Sequence, residues 1–191
     1  AQFGAAYTVT EMVSAKAIQY NYEKTAQLAD TSRDQHPVFL QLFGSDPFDF
    51  GLAAKKAEAF HPDGIDINMG CPVPKIAGNG AGSALMKDPA KCGAIVAAVK
   101  RNTSLPVTVK IRAGWDKDHQ NAVEVPRYFT TAGAAAIRAT GRPKNQRSMA
   151  PAAGTFTGPV NRGFSGRGVA TGAWVVSTPT ARTGDQPRPL V

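Results

Sequence analysis

The sequence predicts an α/β domain built on a parallel sheet. Three observations carry this. Short apolar or β-branched runs alternate with stretches of helical character. The connections between them are brief. Polar and reactive residues collect just past the ends of the runs, where parallel α/β folds place ligands.

The elements follow in chain order. Tyr7–Met12 is a short β-rich run, and Asn21–Ala29 is a polar helix candidate. His36 and Pro37 lead into a buried strand, Val38-Phe39-Leu40-Gln41-Leu42, that ends at Gly44. Ser45-Asp46-Pro47 has the form of a helix start, with proline at a tolerated early position. That helix should run to about Phe60 and bury Leu52, Ala53, Ala57 and part of Phe60. Gly64–Asn68 is the next strand, and the Gly/Pro-rich stretch from Met69 to Gly82 is a loop. Ala81–Met86 reads as a short helical turn. Asp88-Pro89 opens a helix that ends near Arg101 and turns Ile95, Val96 and Val99 to the core. Pro106–Arg112 is nearly continuous in β-branched residues, which predicts a strand covered on both faces. Asp118–Ala132 is expected to be a helix kinked or split at Pro126. Gly133–Ile137 begins a final strand.

Composition narrows the class. The chain has 191 residues, 42% hydrophobic and 19% charged, as a globular domain does. No apolar run approaches the ~20 residues of a membrane span, and no leader is visible at the N-terminus, so no membrane role is expected. Two cysteines, Cys71 and Cys92, exclude a disulfide scaffold and a four-cysteine zinc site. His36, His61 and His119 lack metal-ligand spacing, so no metal is expected. A reducing, cytoplasmic setting follows from the cysteine count.

The charge is unevenly spread. Residues 1–137 hold 14 basic and 13 acidic residues, whereas 138–191 hold 8 basic residues and one acid, Asp185. Leu, Ile, Val and Phe supply only 8 of those last 54 residues, a disorder-like composition. The division is therefore a folded part, 1–137, and an Arg/Gly/Pro-rich tail, 138–191, that is disordered or read out of frame. A uniformly basic nucleic-acid-binding body is excluded.

The sharpest local signal is Asp66-Ile67-Asn68-Met69-Gly70-Cys71-Pro72. A strand delivers Asn68 to the sheet's end, Gly70 should permit a tight turn, and Cys71 lies in the loop beyond. Thiol chemistry needs a cysteine placed in this way. Cys92, inside a helix without polar company, reads as a small core residue. Lys110 sits between Val109 and Ile111, where an unpaired ammonium is costly, so it reads as functional. Gln41 by itself reads equally well as a side chain satisfying a loop amide. Glu11 ends its run and either lines the site or pairs with a lysine. Lys16, Lys75 and Lys87 read as solvated surface lysines, and His119 as part of a helix start. No Gly-x-Gly-x-x-Gly or Walker sequence follows a strand.

Five segments occur in order and in register: Glu11–Ala17, Gln41–Ser45, Asp66–Pro72, Asn79–Leu85 and Val107–Arg112. Together they resemble the bacterial tRNA-dihydrouridine synthases over roughly Phe3 to Ile137. The resemblance implies part of a (β/α)8 barrel, about strands two to six, with FMN at the C-terminal face and NADPH as reductant. It implies tRNA as substrate, with hydride passing from reduced FMN to uracil C6 and a proton from Cys71 to C5. It further implies that Gln41 and Lys110 contact FMN and that Asn68 and Arg112 lie near the uracil. The chemistry is consistent, since a thiol with an ordinary value near 8.5 is protonated at neutral pH.

Two departures stand beside the resemblance. The family's first strand would lie upstream of Ala1. After Ile137 the family's Thr-Val-His-Gly-Arg-Thr is replaced by Arg138-Ala139-Thr140-Gly141-Arg142-Pro143, which lacks the expected histidine. Gly166-Arg167-Gly168 has no strand before it and is read as chance. The alternatives are an FMN barrel reducing a free pyrimidine, and a remnant that binds RNA nonspecifically through its tail.

Overall fold

The computed structural model describes residues 7–20, 23–140 and 173–177, the last as backbone alone. Asn21 and most of the Arg-rich segment, including Gly166-Arg167-Gly168, lie outside the described residues. Five parallel strands form the sheet: β1 (Thr8–Ser14), β2 (Val38–Phe43), β3 (Gly64–Met69), β4 (Val107–Arg112) and β5 (Ala136–Thr140). A sixth, β6 (Ala173–Ser177), pairs antiparallel with β5. The spatial order is the chain order, β1 to β6. A doubly wound sheet reverses its order at a switch point, whereas a β/α barrel winds in one direction. This is the winding of a partial (β/α)8 barrel.

Helices α1 (Glu23–Ala29), α2 (Pro47–Ala57), α4 (Pro89–Arg101) and α5 (Val125–Thr131) connect the strands, and a single turn, α3 (Pro74–Ala77), sits in the loop after β3. Asp46 caps α2 by accepting from the Phe48 N–H at 2.9 Å, and Asp88 caps α4 from the Lys91 N–H at 3.0 Å. Both helices place proline in the first turn, where no amide hydrogen is needed. Helix α2 packs on α4, and α4 on α5.

The core lies between these helices and one face of the sheet. Leu40 and Leu42 of β2, Ile65 and Ile67 of β3, Val107, Val109 and Ile111 of β4, and Ile137 of β5 are buried there with Phe50, Ile95, Val96, Val99 and Phe129. Each strand contributes every second residue, the period of the pleat. The alternate residues form a concave face of different character. Near the N-terminal ends of the strands, Tyr7 stacks on Phe39 at 4.5 Å between ring centroids. Gly64 makes room for that ring: a Cβ there would stand 2.4 Å from Phe39 Cε2.

Strand β4 is paired in parallel on both edges and buried over Val107–Val109, and Thr108, Lys110 and Arg112 give its concave side polar character. Three expectations need correction. Helix α5 starts at Val125, so Pro126 is in its first turn and kinks nothing; residues 118–121 are irregular and only 122–124 form a turn. His119 therefore starts no helix and pairs with Asp116 at 2.7 Å. In α2, Leu52 is 39% exposed, while Phe50, Gly51 and Ala54 are buried in its place. Ala53 and Ala57 are buried and Phe60 partly so, as expected, so periodicity placed the inward stripe and missed it only at Leu52.

Candidate active site

The C-terminal ends of β2, β3 and β4 bring the sequence candidates together. Pairing in register sets Gln41 beside Asp66, and Asn68 beside Lys110. Arg138 of β5 stands beside Lys110. All five lie on the concave face, opposite the helices.

A row of hydrogen bonds joins them. Gln41 Nε2 donates to Asp66 Oδ2 at 2.6 Å, and Asn68 Nδ2 donates to Gln41 Oε1 at 2.9 Å. Asn68 Oδ1 then accepts the Gly70 and Cys71 amides at 3.1 and 2.9 Å. The loop that carries Cys71 thus hangs from Asn68. Arg112 Nε holds the same loop from β4, donating to the Gly70 carbonyl at 2.6 Å. The segment after α3 closes over it: the Ser83 N–H donates to the Cys71 carbonyl at 3.0 Å. Gly82, at φ +57°, lies so close that a Cβ would stand 2.6 Å from that carbonyl oxygen. Glycine is required there on both counts. Gly70, the expected turn glycine, has no positive φ, and a Cβ would meet nothing nearer than 3.5 Å. Asn68 makes the turn instead.

Cys71 is half-buried and free, and Cys92 is buried. The Cys92 Sγ–H points to the Leu85 carbonyl at 3.0 Å, and burial pushes its thiol up to about 12. That is the inert core cysteine the sequence suggested. Glu11 is exposed within β1, beside the irregular register between Val9 and Met12, and does not reach the row. Lys87 lies 3.8 Å from the centre of the Trp115 ring.

The electrostatics centre on Lys110. Burial lowers its ammonium to about 8, and Arg138 and Arg112 press it the same way, while Asp66 opposes them. Asp66 is fully buried, accepts the Thr108 hydroxyl at 2.6 Å and lies 2.6 Å from Arg138 Nη2. That ion pair is close without being aligned as a hydrogen bond, and Arg138 Nε and Nη2 remain buried donors without acceptors. Asp66 and Arg138 were not singled out from the sequence. An acid at an inward position of a strand, two residues before Asn68, was the available signal for Asp66.

Comparison with known proteins decides the family. The family profile "Dihydrouridine synthase (Dus)" matches residues 1–155. The chain belongs to the dihydrouridine synthase family. The profile match thus continues past Ile137 into the Arg-rich segment. A protein named tRNA-dihydrouridine synthase B from Pseudomonas aeruginosa is 38% identical over 141 residues, covering 74% of this chain and 42% of its own. One named probable tRNA-dihydrouridine synthase 1 from Synechocystis is 41% identical over 137 residues, covering 72% and 38%. One named probable tRNA-dihydrouridine synthase from Treponema pallidum is 38% identical over 142 residues, covering 71% and 42%. The chain spans about two fifths of the length of these relatives.

The concave face of this family member suits a flavin. Lys110 carries no hydrogen bond among the described residues, and Arg138 has buried donors to spare. Such a surface fits an acceptor-rich or anionic group. Among the described residues no helix is long and apolar enough to cross a membrane. No group of three His, Cys, Asp or Glu residues there is placed to hold a metal ion.

Proposed function

We propose that the protein reduces a uridine of tRNA to 5,6-dihydrouridine, with FMN as cofactor and NADPH as reductant. The observation that carries this is the convergence of Cys71, Asn68, Gln41, Lys110 and Arg112 at one end of three adjacent parallel strands, in a family whose named members act on tRNA. Held by Lys110 and Gln41, FMN would supply the hydride chemistry, with NADPH as the source of reducing equivalents.

The chain's own residues do the rest. Lys110 and Gln41 bind the cofactor's polar ring edge, where a cation in a dehydrated place stabilises negative charge. Asn68 and Arg112 fix the loop and orient the uracil above it. Cys71 Sγ gives up its proton to C5 as charge develops there, acting as general acid. The loop holds the thiol without consuming it, because the contacts that fix Cys71 are made by its backbone. Setting and partner follow from this reading: tRNA as partner and a cytoplasmic location.

The test starts with the visible spectrum of the full chain after FMN is added and the excess removed. Retained flavin absorbance is expected. NADPH-driven dihydrouridine formation should then be seen on tRNA and not on free uracil, and Cys71→Ala should lower it by at least about 100-fold while flavin stays bound. Soluble, folded chain that retains no flavin would overturn the reading. So would a Cys71→Ala variant as active as its parent.

A further inference from the structure

Asp66 is the buried charge on the concave face that the proposed reaction leaves without a task. We propose that Asp66 is a positioning residue that aligns the Cys71 loop through Gln41 and Asn68. The inference rests on the reading of Cys71 as the proton donor for its significance.

The argument is one of donors and acceptors. A carboxylate only accepts, so Gln41 must turn Nε2 towards Asp66. Its Oε1 then faces Asn68, which can meet it only with Nδ2. That choice leaves Asn68 Oδ1 directed at the Gly70 and Cys71 amides. Each side-chain amide has two orientations, and the carboxylate at the end of the row selects one for both. Were Gln41 to flip, its NH2 would oppose the NH2 of Asn68. Asn68 would then turn its own NH2 towards two backbone N–H groups and lose the loop. The carboxylate itself is fixed from two strands, by the Thr108 hydroxyl on β4 and by Arg138 on β5. A buried network satisfied in this way sets one geometry for all its members.

The two cysteines make the test internal. Alkylation of Cys71 and Cys92 by iodoacetamide is followed together in the full chain by peptide mass spectrometry, without flavin or tRNA. Cys92, buried and bonded to Leu85, reports global unfolding. Asp66→Leu keeps much of the volume and removes both acceptors. Asp66→Asn keeps one acceptor, which Arg138 and Gln41 draw to their side. Asp66→Leu is expected to speed Cys71 labelling about five- to tenfold with Cys92 still protected, and Asp66→Asn to bring it back within about twofold of the parent. Gln41→Leu cuts the row without stranding a charge and should show the same rise; it decides the matter if Asp66→Leu also exposes Cys92. An unchanged Cys71 rate in Gln41→Leu, with Cys92 protected, would overturn the proposal. So would Asp66→Asn labelling as fast as Asp66→Leu. Loss of the proposed tRNA activity with this labelling pattern intact would remove the reaction and leave the positioning role standing.

Discussion

Ile67 and Asn68 are neighbours in β3, yet their side chains serve opposite ends. Ile67 enters the apolar layer beneath the helices, together with Leu40, Leu42, Val109 and Ile111. Asn68 enters the concave face, with Gln41, Asp66 and Lys110. Three adjacent strands repeat this division. The convex face is close-packed and holds no charge, so its contribution is hydrophobic and nondirectional. The concave face gathers cations against one buried carboxylate, in a place where burial opposes charge. Apolar packing and polar chemistry are thus divided by the two-residue period of the strand.

The largest effect on that comparison should come from Ile67→Ala. Truncating a fully buried isoleucine leaves a cavity and should cost about 2–5 kcal/mol, a large share of a typical domain's reserve. The check is urea denaturation followed by circular dichroism. Cys71→Ala, four residues on, should shift the same midpoint by less than about 1 kcal/mol. Equal losses would mean that the two faces are not separable.

Next in size, and opposite in sign, is Lys110→Met. The folded chain holds this ammonium near 8 against an ordinary 10.5. At pH 7 the lysine is protonated both folded and unfolded, so the full penalty of burying the charge is present, about 3 kcal/mol from the shift. As pH rises from about 8 towards 10.5, the folded state sheds its proton first, and the parent gains stability. Lys110→Met should therefore be the more stable protein at pH 7, with the gap closing as pH passes through that window. Denaturation curves of both proteins at pH 7 and pH 10 measure it. A methionine variant that is less stable at pH 7 would mean that the lysine is held by favourable contacts and not kept for chemistry at a cost.

Much of this division was legible in the sequence. Short apolar and β-branched runs located β2, β3 and β4, and the residues at and past their C-terminal ends gave Gln41, Asn68, Cys71, Lys110 and Arg112. What was less legible depends on tertiary geometry. Asp66 gains its meaning only when Gln41, Thr108 and Arg138 arrive from three other strands. Arg138 was assigned to the tail by composition, yet the backbone continues β5 through it. Composition averages over a window, whereas a strand is set residue by residue through its ladder. Gly82 and Gly70 exchanged importance for a related reason. The loop's close approach to the Cys71 carbonyl is a long-range contact that no local glycine signal contains.

The smallest expected effect gives the finest test of the alternation. Thr108 is buried on the concave face and donates its hydroxyl to Asp66, between Val107 and Val109 on the convex face. Thr108→Val changes the volume very little but removes that donor. By size and strand propensity the change is harmless, even favourable. By the hydrogen-bond argument it weakens the satisfaction of a buried carboxylate and should cost about 1–2 kcal/mol. The reverse exchange one residue along, Val109→Thr, buries a hydroxyl in an apolar layer and should cost a similar amount, about 1–3 kcal/mol. Urea midpoints of the two variants against the parent decide between the readings. Two losses mean that neighbouring positions of one strand enforce opposite chemistry. A neutral or stabilising Thr108→Val, beside a destabilising Val109→Thr, would mean that the concave face is merely tolerated polarity, with Asp66 satisfied by Gln41 and Arg138 alone.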